Sequence, residues 1–392
     1  MQKWLVFLIC LPLLGCSRSE PVVLPTEEQS DYWPKTEWRS STPKEQGMDQ
    51  TILENLHQEF VSGQHGYIDG MLLIRNGYVI YEKAYTHNYQ ALFEGRGEPG
   101  QYNYYDPKWH PYYERGVLHS MQSVSKSVTS ALVGIAIGRG EIPGVDIPVT
   151  PYFSEFKYQT VDDPLRVEMT LEHLLTMTAG IRWDEESVPY THPANSCAGM
   201  EQSQDWVQFV LDQPMAEQPG SRFLYNSGAT VLISYLLEQS TGKEVEEYAA
   251  EFLFGPLGIK NFFWKKTPRG LADTEGGLYL RPHDLARIGY LYLKDGIWEG
   301  KHLLPVGWVE ASTQPTVKVG PEGSWRYGYK WWLLPDDEGG YAITGLGYGG
   351  QRLLVVPSLN LVAVFTGWNI YGTPSLNPQL ALARILKAVK TR

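Results

Sequence analysis

Residues Met121 to Ile142 read MQSVSKSVTSALVGIAIGRGEI, and Ser123-Val124-Ser125-Lys126 inside them sets a serine three places before a lysine. Spacing alone decides nothing, because the chain repeats it at Ser41/Lys44, Ser154/Lys157 and Ser240/Lys243. Context separates the four. Pro43 interrupts the first, Ser154/Lys157 falls in a Pro- and aromatic-containing connection, and Thr241-Gly242 inside the last is a helix-ending signal. Around Ser123, by contrast, the run Val124 to Ile137 is apolar or small nearly all round, the mark of a helix buried between layers. Ser123, Lys126, Ser127 and Ser130 fall at i, i+3, i+4 and i+7, one polar stripe with the serine at its N-terminal end.

A lysine in that position calls for a chemical reason. Burial and a helix N-terminus both disfavour the ammonium form, so the expectation is a lowered pKa that lets Lys126 accept the Ser123 proton, directly or through a neighbour. The same N-terminus puts the Ser123 N–H where an oxyanion develops. The competing reading is a snorkelling lysine beside a serine that only caps its helix.

Outward from this helix, Gly70 to Arg75 and Tyr78 to Tyr81 are β-rich runs joined by Asn76-Gly77, a strong hairpin signal. The C-terminal part adds strands at Tyr327 to Leu333, Gln351 to Val356 and Leu361 to Thr366, and an amphipathic helix from about Pro378 to Lys390. Helical patterns fill the middle: Thr170 to Thr178, Gln204 to Leu211, Gly228 to Gln239, Val245 to Phe254 and Arg281 to Lys294. A sheet built from both chain ends with helices inserted between them predicts an α/β lobe (about 36–114 and 309–392) packed on a helical lobe (about 115–308) across a cleft.

Two later stretches stand in the right order to complete a site. Phe223-Leu224-Tyr225-Asn226-Ser227-Gly228 precedes an apolar helix, and Gly347-Tyr348-Gly349-Gly350-Gln351 enters a strand ending at Val355-Val356-Pro357. With Ser-Val-Ser-Lys they resemble the three motifs of the serine β-lactamase and penicillin-binding-protein superfamily. The likeness is greatest to the branch that holds class C β-lactamases, D-alanyl-D-alanine carboxypeptidases, family VIII esterases and 6-aminohexanoate-dimer hydrolase. Thr170 to Gly180, Gly276-Gly277-Leu278 and Asp284-Leu285-Ala286 look like that branch too, and the resemblance covers nearly everything from Trp38 onward. It implies a β-lactamase-like (DD-peptidase) α/β fold, an antiparallel sheet flanked by helices with an inserted all-helical lobe. It also makes Ser123 the acylated nucleophile, Lys126 its partner and Tyr225 the phenol that relays the proton. A free phenol titrates near 10, so Tyr225 acts as a base only where a cation stabilises its phenolate.

Two departures bear on the substrate. The family's second motif usually reads Tyr-x-Asn, and here Ser227 stands where the asparagine amide would hold an acyl-amide group. The third usually begins with Lys or His, and here it reads Tyr348-Gly349-Gly350, without the cation that grips a carboxylate unless Arg352 replaces it. The Gln351 N–H is the expected second oxyanion donor. Neutral esters or amides are therefore the expected substrates, with no cofactor. A D-alanyl-D-alanine carboxypeptidase or class C-like β-lactamase, and a non-catalytic envelope binding protein on the same fold, are the rivals.

The remaining residues set the surroundings. With 392 residues, 43% of them hydrophobic, the chain builds a large core, and a net charge of −11 without a basic run argues against nucleic acid. Residues 1–15 pair Lys3 with about eleven apolar residues and end before Cys16, the pattern of a lipoprotein signal peptide. Lipid on Cys16 and a polar tether over 16–35 would hold the hydrolase domain, 36–392, to an envelope membrane facing the periplasm. Cys197 is then left alone. No His-Glu-x-x-His, Cys-x-x-Cys or Gly-x-Ser-x-Gly occurs, so neither a metal nor the α/β-hydrolase elbow is expected. The acidic Trp183-Asp184-Glu185-Glu186 loop reads as structural, and the aromatic segment Gln101 to Tyr113 as either a cleft wall or surface packing.

Overall fold

Asn76 and Gly77 take φ values of 53° and 78° in the computed structural model, the doubly left-handed turn that matches strand twist. The turn joins two strands of a nine-stranded sheet. In chain order these are β1 (Arg39–Ser40), β2 (Ile68–Arg75), β3 (Tyr78–Ala84), β4 (Val317–Val319), β5 (Trp325–Tyr327), β6 (Trp332–Pro335), β7 (Tyr341–Gly347), β8 (Gln351–Val356) and β9 (Leu361–Gly367). Their spatial order is β1-β3-β2-β9-β8-β7-β6-β5-β4, and every pairing is antiparallel except β1 with β3. The structure describes residues 32–95, 104, 106, 117–157, 163–336, 339–370 and 374–389. Residues 1–15, where a signal peptide is expected, Cys16, nearly all of the expected tether over 16–35, and most of Gln101 to Tyr113 lie outside the described residues.

Side chains alternate across a strand, so the central strands send two sets of residues to two cores. Met71, Leu73, Leu354, Val356, Leu361, Ala363 and Phe365 enter one, covered by helices α1 (Gln50–Val61) and, at the chain's end, Pro378–Ala388. Leu72, Ile74, Leu353, Val355, Val362 and Val364 enter the other, larger core. There the sheet meets α2 (Val124–Gly138), α3 (Ser227–Thr241) and α4 (Pro282–Leu293). α4 crosses β8 and β9 closely at Gly289, where a Cβ would stand 2.8 Å from Val362 and 2.9 Å from Leu353.

Every residue of α2 from Val124 to Ala136 is buried. Its Val124, Val128, Leu132, Val133 and Ile135 each contribute roughly 1.5–3 kcal/mol by leaving water. Together they offset the several kcal/mol that burying the Lys126 charge costs.

Two readings of the sheet change. The single strand expected over Tyr327 to Leu333 is two strands, β5 and β6, reversed through 328–331. Gly328 sits so close to Ser312 that a Cβ would lie 2.2 Å from its carbonyl oxygen, and Lys330 takes a left-handed φ of 63°. The aromatic run concealed that reversal. β7 was not anticipated, because ITGLGYGG reads as loop by composition although Ile343 to Gly347 pair residue by residue with β8.

Candidate active site

Ser123 is the N-cap of α2 and is half-buried, while Lys126, one turn on, is 1% exposed beneath it. Gln122, just before the serine, holds a left-handed φ of 48°, a strained entry for a residue with a Cβ. The N–H groups of Val124, Ser125 and Lys126 close onto Met121, Gln122 and Ser123, and among the described residues nothing accepts the Ser123 N–H.

The Lys126 ammonium has three protons and three acceptors. It donates to Ser123 Oγ at 2.9 Å, to the Glu275 carbonyl at 2.7 Å and to Glu275 Oε2 at 3.1 Å. Burial pulls this amine's pKa down, but Tyr225, Glu275 and Glu185 together outweigh burial and hold it above the ordinary lysine range. The lowered pKa expected from burial and the helix terminus is therefore overturned by Tyr225 first, together with two carboxylates that the sequence reading left out of the site.

Tyr225 is buried, stacks on Trp332 at 5.7 Å and places its ring 5.2 Å from the Lys126 nitrogen. Burial raises its hydroxyl. Lys126 opposes that, Glu185 adds to it, and hydrogen bonds with Ser123 and Lys126 lower it, leaving the group a phenol near neutrality. Ser123 and Lys126, neighbours on α2, thus meet Tyr225 from about a hundred residues further along the chain at one point.

Glu185 is the anchor of the second motif. Its carboxylate accepts from Ser227 N–H and Ser227 Oγ, both at 2.8 Å, from the Trp183 indole and from Tyr190 Oη at 2.9 Å. Ser227 is 1% exposed, so its hydroxyl serves this interior network instead of the solvent side where a substrate amide would lie. Asn226 caps α3 through the Ala229 N–H. Burial is the strongest influence on Glu185 and raises it, while Lys126 and its hydrogen-bond donors restrain the rise.

The strand that meets α2 at its Ser123 end is β7. A Cβ on Gly345 would stand 3.0 Å from Val124 Cγ1 and 3.4 Å from Ser127 Oγ, and one on Gly347 would stand 2.5 Å from the Met121 carbonyl oxygen. β6 ends at Trp332 opposite Thr344, so Gly345 to Gly347 run on past it toward Ser123. Gly349, Gly350 and Gln351 lie farther along, in the turn into β8. Gly349 and Gly350 have φ of 82° and 112°, and the Gln351 side chain binds the carbonyls of Tyr348 and Gly367. Tyr348 packs between Tyr190 at 5.1 Å and Tyr104 at 5.3 Å. Arg352 donates from Nη1 to the carbonyls of Gly347 and Gln351 and from Nη2 to that of Leu376, and its Nε is buried.

Among the described residues, Cys197, Glu201 and Glu275 bring ligand-type atoms within 4.8 Å of one another. The cluster already has cations of its own, Lys126 on Glu275 and Lys265 beside Glu201, so its charge is answered without a metal. Among the described residues no helix is long and apolar enough to cross a membrane.

A family model described as Beta-lactamase matches residues 61–372. The 6-aminohexanoate-dimer hydrolase of Paenarthrobacter ureafaciens is 27% identical over 278 residues, 64% of this chain and 68% of that protein. A Beta-lactamase of Escherichia coli K12 is 26% identical over 231 residues, 54% of each chain. The crystal structure of a family VIII carboxylesterase superposes with a TM-score of 0.62 at 14% identity, covering 90% of this chain and 98% of the other, a likeness of fold.

Proposed function

Because the chain belongs to the Beta-lactamase family, we propose that it is a serine hydrolase that opens ester or amide bonds through an acyl-enzyme on Ser123. One observation carries the reading: a half-buried serine at a helix N-terminus whose Oγ lies 2.9 Å from a buried lysine. Such an arrangement suits acyl transfer, in which a hydroxyl needs a proton acceptor and an adjacent site for negative charge. Lys126 and Tyr225 handle the proton, Tyr225 as a phenol that delivers it to the leaving group.

The oxyanion site in this reading is the Ser123 N–H and a β7 N–H. Leu346, between the two glycines that press on α2, is the better-placed second donor than Gln351. Pro335, paired with Tyr341, has no N–H to give, which favours hydrogen bonding at the alternate pairs, Leu334–Ala342 and Trp332–Thr344. In that register Leu346, two residues past Thr344, turns its N–H to the side where β6 has ended.

Neutral acyl groups are the proposed substrates. Ser227 is committed to Glu185, Arg352 to backbone carbonyls, and Tyr348 to an aromatic wall with Tyr190, so none of the three offers a grip for the carboxylate of a lactam or a D-alanyl peptide. Initial rates on p-nitrophenyl esters, linear amides, a chromogenic cephalosporin and a D-Ala-D-Ala peptide test this. Ester or amide turnover is expected to dominate, and dominant cephalosporin or D-Ala-D-Ala turnover would refute the substrate argument. The envelope location, by lipid on Cys16, belongs to the proposal on the strength of residues 1–16 alone.

A further inference from the structure

An ammonium with all three protons committed has no lone pair with which to deprotonate a serine. Lys126 is in that state, and Tyr225 is a phenol, so neither of the two groups touching Ser123 Oγ accepts a proton unless it first gives one up. The group positioned to receive it is the Glu275 carboxylate, 3.1 Å from the Lys126 nitrogen and 6% exposed. Behind Glu275 stands a second carboxyl, Glu201, with a carboxylate oxygen within 4.8 Å of one on Glu275.

We propose that Glu275 takes up the Ser123 proton through Lys126, and that Glu201 holds Glu275 in its ionised form by donating a hydrogen bond to it. The inference rests on the serine-hydrolase reading above. In the step, one Lys126 N–H proton passes to Glu275 Oε2 as the Ser123 hydroxyl proton passes to Lys126. The Oγ lone pair forms the bond to the acyl carbon, and the carbonyl π pair moves to its oxygen. When the oxyanion collapses, the bond to the leaving group breaks. The proton held on Glu275 returns through Lys126 and Tyr225 to the leaving atom. Lys126 is an ammonium before and after, and Glu275 is the positioning residue whose charge changes.

The surroundings suit a carboxyl that cycles. Burial raises Glu275, but Lys126 and Lys265 more than reverse that and keep it below the ordinary glutamate range. Burial, together with Glu275 and Asp273 and against the pull of Lys265, pushes Glu201 up to about 8. Cys197 and Tyr104 face the same cluster as neutral groups, both held protonated by burial, and Glu185 faces it across Lys126. Below pH 8 Glu201 therefore carries the proton it donates. Above pH 8 its added negative charge raises the proton affinity of Glu275 and alters the step.

Glu275→Gln removes the charge while leaving an amide oxygen and the residue's own carbonyl as acceptors for Lys126. The expected result on a p-nitrophenyl ester is a kcat lower by about 100-fold with KM little changed, in the range typical of proton-transfer groups, and a lower melting temperature, because a buried ion pair is broken. Glu275→Asp is expected to recover at least about tenfold of that loss. Glu201→Gln is expected to abolish the inflection near pH 8 in kcat/KM. If Glu275→Gln keeps kcat within about threefold of wild type, the relay is overturned. If that variant does not fold, Glu201→Gln decides alone: an unmoved inflection overturns the proposal and its loss supports it. Ser123→Ala is assayed alongside. Full activity there would sink the nucleophile reading, whereas an inert Ser123→Ala beside an unimpaired Glu275→Gln would sink only the relay.

Discussion

Gly347→Ala probes the closest approach in the site. The new Cβ would stand 2.5 Å from the Met121 carbonyl oxygen, whereas ordinary contact begins at 3.4 Å, so β7 must retreat by about 0.9 Å, the difference of the two. Met121 cannot yield in its place, because its N–H is bonded to Leu278 and its carbonyl accepts the Val124 N–H at the start of α2. The backbone angles at Gly347 are not left-handed, so the strain is one of space alone. Overpacking of this kind costs about 1–3 kcal/mol of stability. The larger effect falls on rate, since displacing a catalytic group by about 1 Å costs on the order of 100-fold. Gly345→Ala is the graded comparison. Its Cβ would meet the Val124 methyl at 3.0 Å, a side-chain end that can give by a few tenths of an ångström, and the expected loss is under about tenfold. The assay is kcat on a p-nitrophenyl ester together with a thermal melt for each variant. A Gly347→Ala protein that keeps wild-type kcat within about threefold would refute the reasoning that β7 supplies the oxyanion wall.

Other expectations follow from the buried charges. Glu185→Ala strands the Ser227, Trp183 and Tyr190 donors without an acceptor, and a stability loss of at least about 2 kcal/mol in urea denaturation is expected. Burial raises Glu238 from 4.5 to about 7, so the folded state binds the extra proton between those values. Its stabilisation is complete below about 4.5 and lost as pH rises through 7; Glu238→Gln is accordingly expected to raise the melting temperature at pH 8 and leave it unchanged at pH 4. An equal shift at both pH values would contradict that sign.

The parts of the fold legible in the sequence were those in which local chemistry and tertiary environment agree. Asn76-Gly77 needs only its own backbone preferences to make a hairpin, and α2 announces its burial by being apolar on every face but one stripe. The stripe also placed Ser123 and Lys126 together. Tyr225 entered through a motif, and the fold brings it to the same point. Glu185 and Glu275 were illegible for the opposite reason. A glutamate in a loop reads as solvated, and only the packing of α2, α3 and the segment before Gly276 removes these two from water. Omitting them inverted the expected Lys126 shift, because desolvation was weighed without its counter-ions. A weak signal existed in Glu275-Gly276-Gly277, an acidic residue set before two glycines where the backbone turns tightly beneath Lys126. β7 was missed because its two glycines, Gly345 and Gly347, suppress strand propensity, and those glycines are required where the strand crosses α2.

Labelling with a fluorophosphonate probe, followed by peptide mass spectrometry, tests the acyl-enzyme most directly. One adduct is expected on the wild-type protein, on the peptide that holds Ser123, with none on Ser123→Ala. A wild-type adduct at any other residue, or labelling of Ser123→Ala at the wild-type rate, would contradict the assignment of Ser123 as the nucleophile.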